Sequence, residues 1–397
     1  MSSTKQYTIG CIIGTRPEVI KMAPIIFKLK ESSWAKVIVI NTAQHRNLLD
    51  DMLQLFGIEP DSDLDIMTFN QSLGELTANL CTKLENLLQL HHFDTLLAAG
   101  DTTTVFISSL IAFYHRIPFG HVEAGLRSYN IYEPFPEEIN RVLAAPLSTW
   151  HFAPTMLEKE NLLRENINQE KVVVTGNPVI DALYWVLEHR KVNDFMKDLD
   201  NIVLVTTHRR ENFGENLHNI CSAIIELTER FTHLNFVFPV HPNPNVQRVV
   251  HELLKDKPRI HLLSPLKYDQ FSHLMQRAIL LLSDSGGVQE EGPALSKPVL
   301  VLRDVTERPA ILTEGVGLLI GTEKNNIVSA VTHLLTDKNL YTSMSRGVSP
   351  YGDGHAAERI VASLEYNLIN KNEKKLKAKE SLVAHPKGKS VRTGIQP

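Results

Sequence analysis

"AILLLSDSGGVQEEGPAL" (278–295) runs from pure hydrocarbon into two glycines and then two acids. An unbroken apolar run of this kind suits a strand covered on both faces, as strands of a parallel sheet are. Gly286 and Gly287 carry no side chain, so a ligand can come close to the backbone just beyond the strand. "GVQEEGPAL" then reads as the opening turns of a helix, whose free N–H groups attract anions, phosphate above all. A tight strand-to-helix turn with no ligand would carry the same letters, because short glycine motifs say little alone. A reason for a phosphate has to come from the rest of the chain.

Outward from this stretch, strand-like and helix-like segments alternate. "YTIGCII" (7–13) precedes a helical pattern from Pro17 to about Lys30, and "KVIVI" (36–40) precedes one near 47–56. A helix at 73–90 leads into "TLLAAG" (95–100), and "TTVFISSLIAFYH" (103–115) leads into "IPFGHVEAG" (117–125). After "KVVVTGNPVIDAL" (171–183) a polar stretch, "EHRKVNDFMKDLDN" (188–201), interrupts the pattern. It restarts with "IVLVTTHRRENFG" (202–214), "LNFVFPVHPNP" (234–244), "RIHLL" (259–263), the opening stretch and "KPVLVL" (297–302). This is the rhythm of right-handed βαβ units, so the fold class is α/β with two doubly wound, Rossmann-like domains. The expected divisions are 1–187, then 188–365 with a last helix crossing back, then a Lys-rich flexible tail at 366–397.

Composition removes several classes of function. The 397 residues suit about two domains. A net charge of −4 provides no global basic field for nucleic acid. No apolar stretch is long enough to span a bilayer, and the N-terminus lacks a signal-peptide layout, so a cytoplasmic location is expected. Cys11, Cys81 and Cys221 stand alone in apolar patterns and form no metal-ligand spacing.

In open α/β sheets ligands bind beyond the carboxyl ends of the strands, so the residues following each strand form the useful list. The first strand is followed by "GTRPEVIK" (14–21), with Arg16 and Lys21 flanking a turn. "DTTT" (101–104) follows the "TLLAAG" strand, and Asp101 reads locally as a helix cap. Glu123 lies in the apolar "GHVEAGLRS" (120–128), where a carboxylate must be paired, neutralised or face a cleft. "EPFPEEINR" (133–141) opens a helix with Glu137 and Glu138 in its first turn, and Arg141 stands four residues after Glu137, at ion-pair spacing. In the second half His208, Arg209 and Arg210 follow one strand, His241 the next, and Arg308 a later one. Two sheets with facing carboxyl ends would enclose an anionic ligand between these sets.

Taken in order, "GTRPEVIK", "TAQH", "GDTTT", "GHVEAGLRS", "PFPEEINR", "TGNPVIDAL", "HRREN", "PVHPNP", "DSGGVQEE", "RDVTERP" and "PYGDG" resemble the non-hydrolysing UDP-N-acetylglucosamine 2-epimerases of bacteria, over roughly residues 7–365. The resemblance implies a glycosyltransferase-B type fold with UDP in the cleft. It implies reversible conversion of UDP-N-acetylglucosamine to UDP-N-acetylmannosamine with no cofactor and no metal, in a homodimer that supplies surface polysaccharide precursors. Carried over residue by residue, it makes Asp101, Glu123, Glu137 and His208 the catalytic candidates. Arg16, Lys21, Arg141, Arg209, His241, Phe271 and Arg308 join the substrate site, where Ser285, Gly286 and Gly287 hold the diphosphate and Glu291 the ribose. Gln44 and Arg210 are candidates for a second, activating substrate molecule, although Asn47 replaces a glutamine that is frequent in the family. "RPE" (16–18) sets the chain apart from the hydrolysing relatives.

Overall fold

The buried apolar runs form two parallel sheets. This computed structural model of the chain describes residues 6–44, 46–68, 70–192 and 196–370. The first sheet contains β1 (Tyr7–Ile13), β2 (Ala35–Asn41), β3 (Ser62–Asp63), β4 (Thr95–Ala99), β5 (Phe119–Val122), β6 (Trp150–Ala153) and β7 (Val172–Val174). The second contains β8 (Ile202–Thr206), β9 (Asn235–Pro239), β10 (Ile260–Leu263), β11 (Leu280–Ser283), β12 (Val299–Val301) and β13 (Gly317–Leu319). Their orders are β3-β2-β1-β4-β5-β6-β7 and β10-β9-β8-β11-β12-β13, and the pairings are parallel. In each sheet the order reverses beside the first strand, between β1 and β4 and between β8 and β11. A crevice opens at such a switch point, beyond the strand ends.

Helices cover both faces of each sheet, which is why β4, β11 and β12 are buried along their whole length. Apolar packing beneath the first sheet joins β1 to the helices Arg16–Glu31 and Pro178–His189. Ile360, Val361 and Leu364 of the helix Ala356–Glu365 enter that same cluster, so the end of the chain returns to the first domain. Asp181 fastens this return by accepting from the backbone N–H of Ala356 (3.2 Å) and Ala357 (2.9 Å).

The loops "TGN" and "PYGDG" meet back to back. A Cβ on Gly176 would lie 3.1 Å from the Gly352 Cα, and Gly176 adopts a φ of 87°. The Asn177 N–H donates to the Tyr351 carbonyl at 2.6 Å. The helix Pro178–His189 runs two residues past the expected domain end at 187. Tyr366–Asn370 likewise continue the last helix as a wider helical turn, where a tail was expected. Residues 371–397, the rest of that tail, lie outside the described residues. Among the described residues no helix is long and apolar enough to cross a membrane. Cys11 and Cys221 are buried, and burial pushes both thiols up to about 12; Cys81 is half-buried.

Candidate active site

The two switch points face one another across a cavity of about 400 Å³. On the first-domain side the turn after β1 is built around Glu18. Its Oε2 accepts from the N–H of Gly14 (2.6 Å) and Thr15 (2.9 Å), and its other oxygen accepts from the Thr102 hydroxyl. One buried side chain therefore ties the Arg16 turn to the Asp101 loop. Arg16 and Lys21 project into the cavity from the same helix, and Lys21 Nζ pairs with Glu123 Oε1 at 2.5 Å. Glu123 follows β5 directly with a φ of 62°, the left-handed region that costs an ordinary residue about 1 kcal/mol or more. Such strain gathers where a side chain must be aimed.

Asp101 is not the helix cap that its local sequence suggests. Thr102 caps the helix Thr103–Tyr114, accepting from the Val105 N–H at 3.3 Å. Asp101 turns instead to Arg141, whose Nη2 and Nε donate to Oδ2 at 2.6 and 3.0 Å. Arg141 also donates to Glu138 at 3.0 Å, so the partner on its own helix is Glu138 three residues back rather than Glu137. Burial raises the Asp101 carboxyl, but Arg141 and Lys21 outweigh it and hold the group below its ordinary range. His121, buried at the end of the next strand, donates to the Gly100 carbonyl at 2.7 Å and steadies the approach to Asp101. Burial lowers its imidazole to about 4, so the ring is neutral at physiological pH. Glu137 is half-buried and lines the cavity.

On the second-domain side Ser285 precedes the helix Gly286–Ala294, and both glycines occupy its first turn rather than the turn before it. The first N–H groups of a helix have no partner within it and suit an anion. Arg308 explains Gly286: a Cβ there would come 3.0 Å from the Arg308 Cζ, so only glycine lets the guanidinium lie across the helix start. Arg308 is held by Glu290 (Nε, 2.8 Å) and Glu307 (Nη1, 2.8 Å). Burial alone would raise Glu307, but Arg308, Arg209 and Arg303 hold it well below the carboxylate range. Glu291 accepts from the buried Tyr268 hydroxyl at 2.8 Å, and burial pushes its carboxyl up to about 8.

His208 lines the cavity, and its Nδ1 pairs with Asp284 Oδ1 at 2.9 Å, which leaves Nε2 free for the cleft. Asp284 is fully buried and is also bonded by the N–H groups of His208 and Arg209 and by Asn212 Nδ2. Arg209 and Phe271 line the same cavity.

Two expected site residues are not brought to it. His241 does not line the cavity; its ring lies 6.4 Å from that of His208, and burial lowers its proton affinity. Gln44 accepts from the Thr104 hydroxyl at 3.1 Å, away from the cavity lining. The side chains of Arg210 and Asn47 lie outside the described residues. Glu18, Glu138, Asn177, Tyr268, Asp284, Glu290 and Glu307 were not foreseen. The signal present for Asp284 and Glu290 was their polarity beside a buried apolar strand.

Comparison with known proteins agrees with this architecture. A family model described as UDP-N-acetylglucosamine 2-epimerase matches residues 27–365. The UDP-N-acetylglucosamine 2-epimerase of Yersinia pestis is 48% identical over 370 residues, which are 90% of this chain and 98% of that one. The crystal structure of the Neisseria meningitidis UDP-GlcNAc 2-epimerase bound to UDP-GlcNAc superposes with a TM-score of 0.83 at 46% identity, covering 90% of this chain and 99% of the other. A glycosyltransferase of Rickettsia africae, 14% identical over 92% of this chain and 99% of its own, shares the fold alone, with a TM-score of 0.60.

Proposed function

The chain belongs to the UDP-N-acetylglucosamine 2-epimerase family and is an isomerase of that kind, and we propose that it acts by eliminating UDP from UDP-N-acetylglucosamine and adding it back to give UDP-N-acetylmannosamine. One observation carries this reading: Asp101, Glu123 and Glu137 share a cavity with Ser285, Gly286, Gly287 and Arg308. Proton-transfer groups and an anion-binding helix start are the two things the chemistry requires.

C2 of the sugar is not next to a carbonyl, so removing its proton alone is difficult. Loss of the C2 proton together with cleavage of the C1–O bond avoids the free carbanion. The C–H electron pair becomes the C1=C2 bond of 2-acetamidoglucal, and the C1–O pair leaves with the β-phosphate. UDP then adds back to C1 while a proton reaches the opposite face of C2. Two acid/base groups on opposite faces are needed, as is strong stabilisation of the departing diphosphate. Asp101 and Glu137 are assigned the proton transfers, with Glu123 the nearest alternative. Arg16, Arg308 and the helix N–H groups receive the diphosphate, and Glu291 the ribose. His208, oriented by Asp284, assists the leaving phosphate with Arg209 beside it. The product would feed surface polysaccharide synthesis, as the family resemblance implies.

The test is proton NMR of UDP-N-acetylglucosamine with the protein in D2O. Solvent deuterium should appear at C2 of both epimers, because elimination exchanges that proton. Epimerisation with all C2 protium retained would overturn the elimination route, and absence of the C2 epimer would favour a transferase of the same fold.

A further inference from the structure

The motif "TGNPVIDAL" has no part in the chemistry above, yet its Asn177 joins the two walls of the cleft. Asn177 is fully buried and caps the helix Pro178–His189, its Oδ1 accepting from the Val179 N–H at 3.3 Å. With the oxygen engaged, the amide nitrogen faces the cleft floor. It donates to Glu123 Oε2 at 2.6 Å and to Glu290 Oε2 at 3.1 Å. Glu123 follows a strand of the first sheet, and Glu290 lies on the helix that follows β11 of the second. The second oxygen of each carboxylate is taken by a cation, Lys21 Nζ at 2.5 Å and Arg308 Nε at 2.8 Å.

The result is a continuous chain, Lys21–Glu123–Asn177–Glu290–Arg308, from one domain to the other. An aspartate at 177 would cap the helix as well as asparagine does. It would also put a third carboxylate between two others. An amide both caps and bridges, which accounts for Asn at this position.

We propose that Asn177 and Glu290 are positioning residues that carry the occupancy of the Arg308 anion site to the Glu123 carboxylate. This rests on the reading of the cavity as a diphosphate site. A diphosphate arriving on Arg308 shares its guanidinium and loosens the hold on Glu290. Glu290 then takes a proton from solvent on the oxygen that Arg308 releases. Glu123 keeps its amide hydrogen bond and its Lys21 partner while the negative ligand enters. The surroundings of Glu290 favour this. Burial raises its carboxyl, Arg308 and Lys21 oppose the rise, and Glu123 adds to it. Glu291 and the buried Tyr351 phenol also face it. Arg308 is thus the leading charge that opposes the rise, and a ligand that shares its guanidinium weakens that opposition.

The test counts protons on binding. UDP-N-acetylglucosamine pre-equilibrated with its epimer is titrated into the full chain at neutral pH, in buffers of differing ionisation heat. A diphosphate diester has no group that titrates near neutrality, so the protons counted belong to the protein. Wild type should take up roughly 0.3–1 proton per site more than Glu290→Gln. Equal proton counts would overturn the relay. Absence of any binding would overturn the reading of the cavity, and the relay with it. Asn177 is tested by two substitutions that both keep a capping oxygen. If the bridging N–H matters, Asn177→Asp, the closer match in shape, should lose more kcat than Asn177→Ser. Both should bind UDP within about 3-fold of wild type, because the uridine and phosphate contacts are untouched. The reverse ranking, Asp better than Ser, would reduce Asn177 to a packing residue and overturn its place in the relay.

Discussion

Glu18→Gln should stabilise the protein at pH 8 and leave it unchanged at low pH. Glu18 is 2% exposed and has no ion-pair partner among the described residues. Three hydrogen bonds to its carboxylate favour the charged form, yet desolvation outweighs them, and the carboxyl rises from 4.5 to about 7. A group whose folded value lies above its unfolded one contributes stability that is present below the unfolded value and lost as pH rises through the folded one. The window here is 4.5 to about 7. At about 1.4 kcal/mol for each pH unit, the buried charge costs the folded protein about 3 kcal/mol at pH 8. Glutamine has the same shape and no charge. Its oxygen can accept from Gly14 and Thr15, and its amide can donate to the Thr102 oxygen, so the contacts survive. A gain of about 1–3 kcal/mol at pH 8 corresponds to a Tm rise of about 2–4 °C for each kcal/mol. Thermal scans of both proteins at pH 4.5 and pH 8 test this. Equal Tm at pH 8, or the same gain at both pH values, would refute the reasoning. Turnover should stay within several-fold of wild type, because the Arg16 turn and the Asp101 loop remain joined.

The other predictions concern the chemistry. Asp101→Asn and Glu137→Gln should each lower kcat by at least about 10²-fold, the usual scale of acid/base catalysis, with UDP affinity little changed. Near-normal turnover in either variant would remove that residue from the proton transfers. Asp101→Asn should still fold, since Arg141 keeps Glu138 at 3.0 Å, and an unchanged Tm checks this. UDP alone should reduce the radius of gyration in small-angle scattering, because in the proposed site its diphosphate would bridge Arg16 and Ser285 across the cleft. Arg16→Ala should abolish that compaction, and an unchanged radius with UDP bound would count against ligand-driven closure.

The two-domain fold was legible because buried parallel strands are written as apolar runs. β1, β4, β8, β9 and β11 all stand out in this way. β3 and β13 did not, being two and three residues long, with β13 half exposed. Such strands are strands only because a neighbour pairs with them. The cap at Thr102 shows a different limit. Asp101 is as good a local cap, but two hydrogen bonds from a buried Arg141, forty residues away in sequence, claim its carboxylate. A long-range charge pair outweighs a local preference, and the letters around 101 carry no trace of it. The same holds for Asp284, whose role depends on His208 in the loop that follows another strand, β8.

The two acids that follow Gly287 have separate tasks. Neighbours on a helix point about 100° apart, so Glu290 and Glu291 cannot serve one partner. Glu291 turns to the Tyr268 phenol and Glu290 to Asn177 and Arg308. Glu290 is also among the charges that lift the proton affinity of Glu291. Keeping both carboxylates buried in the second turn of the helix that starts at Gly286 therefore costs stability. A diphosphate at that helix start would meet a repulsive pair unless one of them could accept a proton. Glu290 stands where it can, next to the arginine that the ligand would engage, and its amide link to Glu123 joins the two domains at the floor of the cleft. On the proposed reading the two glycines would leave room for the anion, Glu291 would meet the ribose, and Glu290 would absorb the charge that the anion brings.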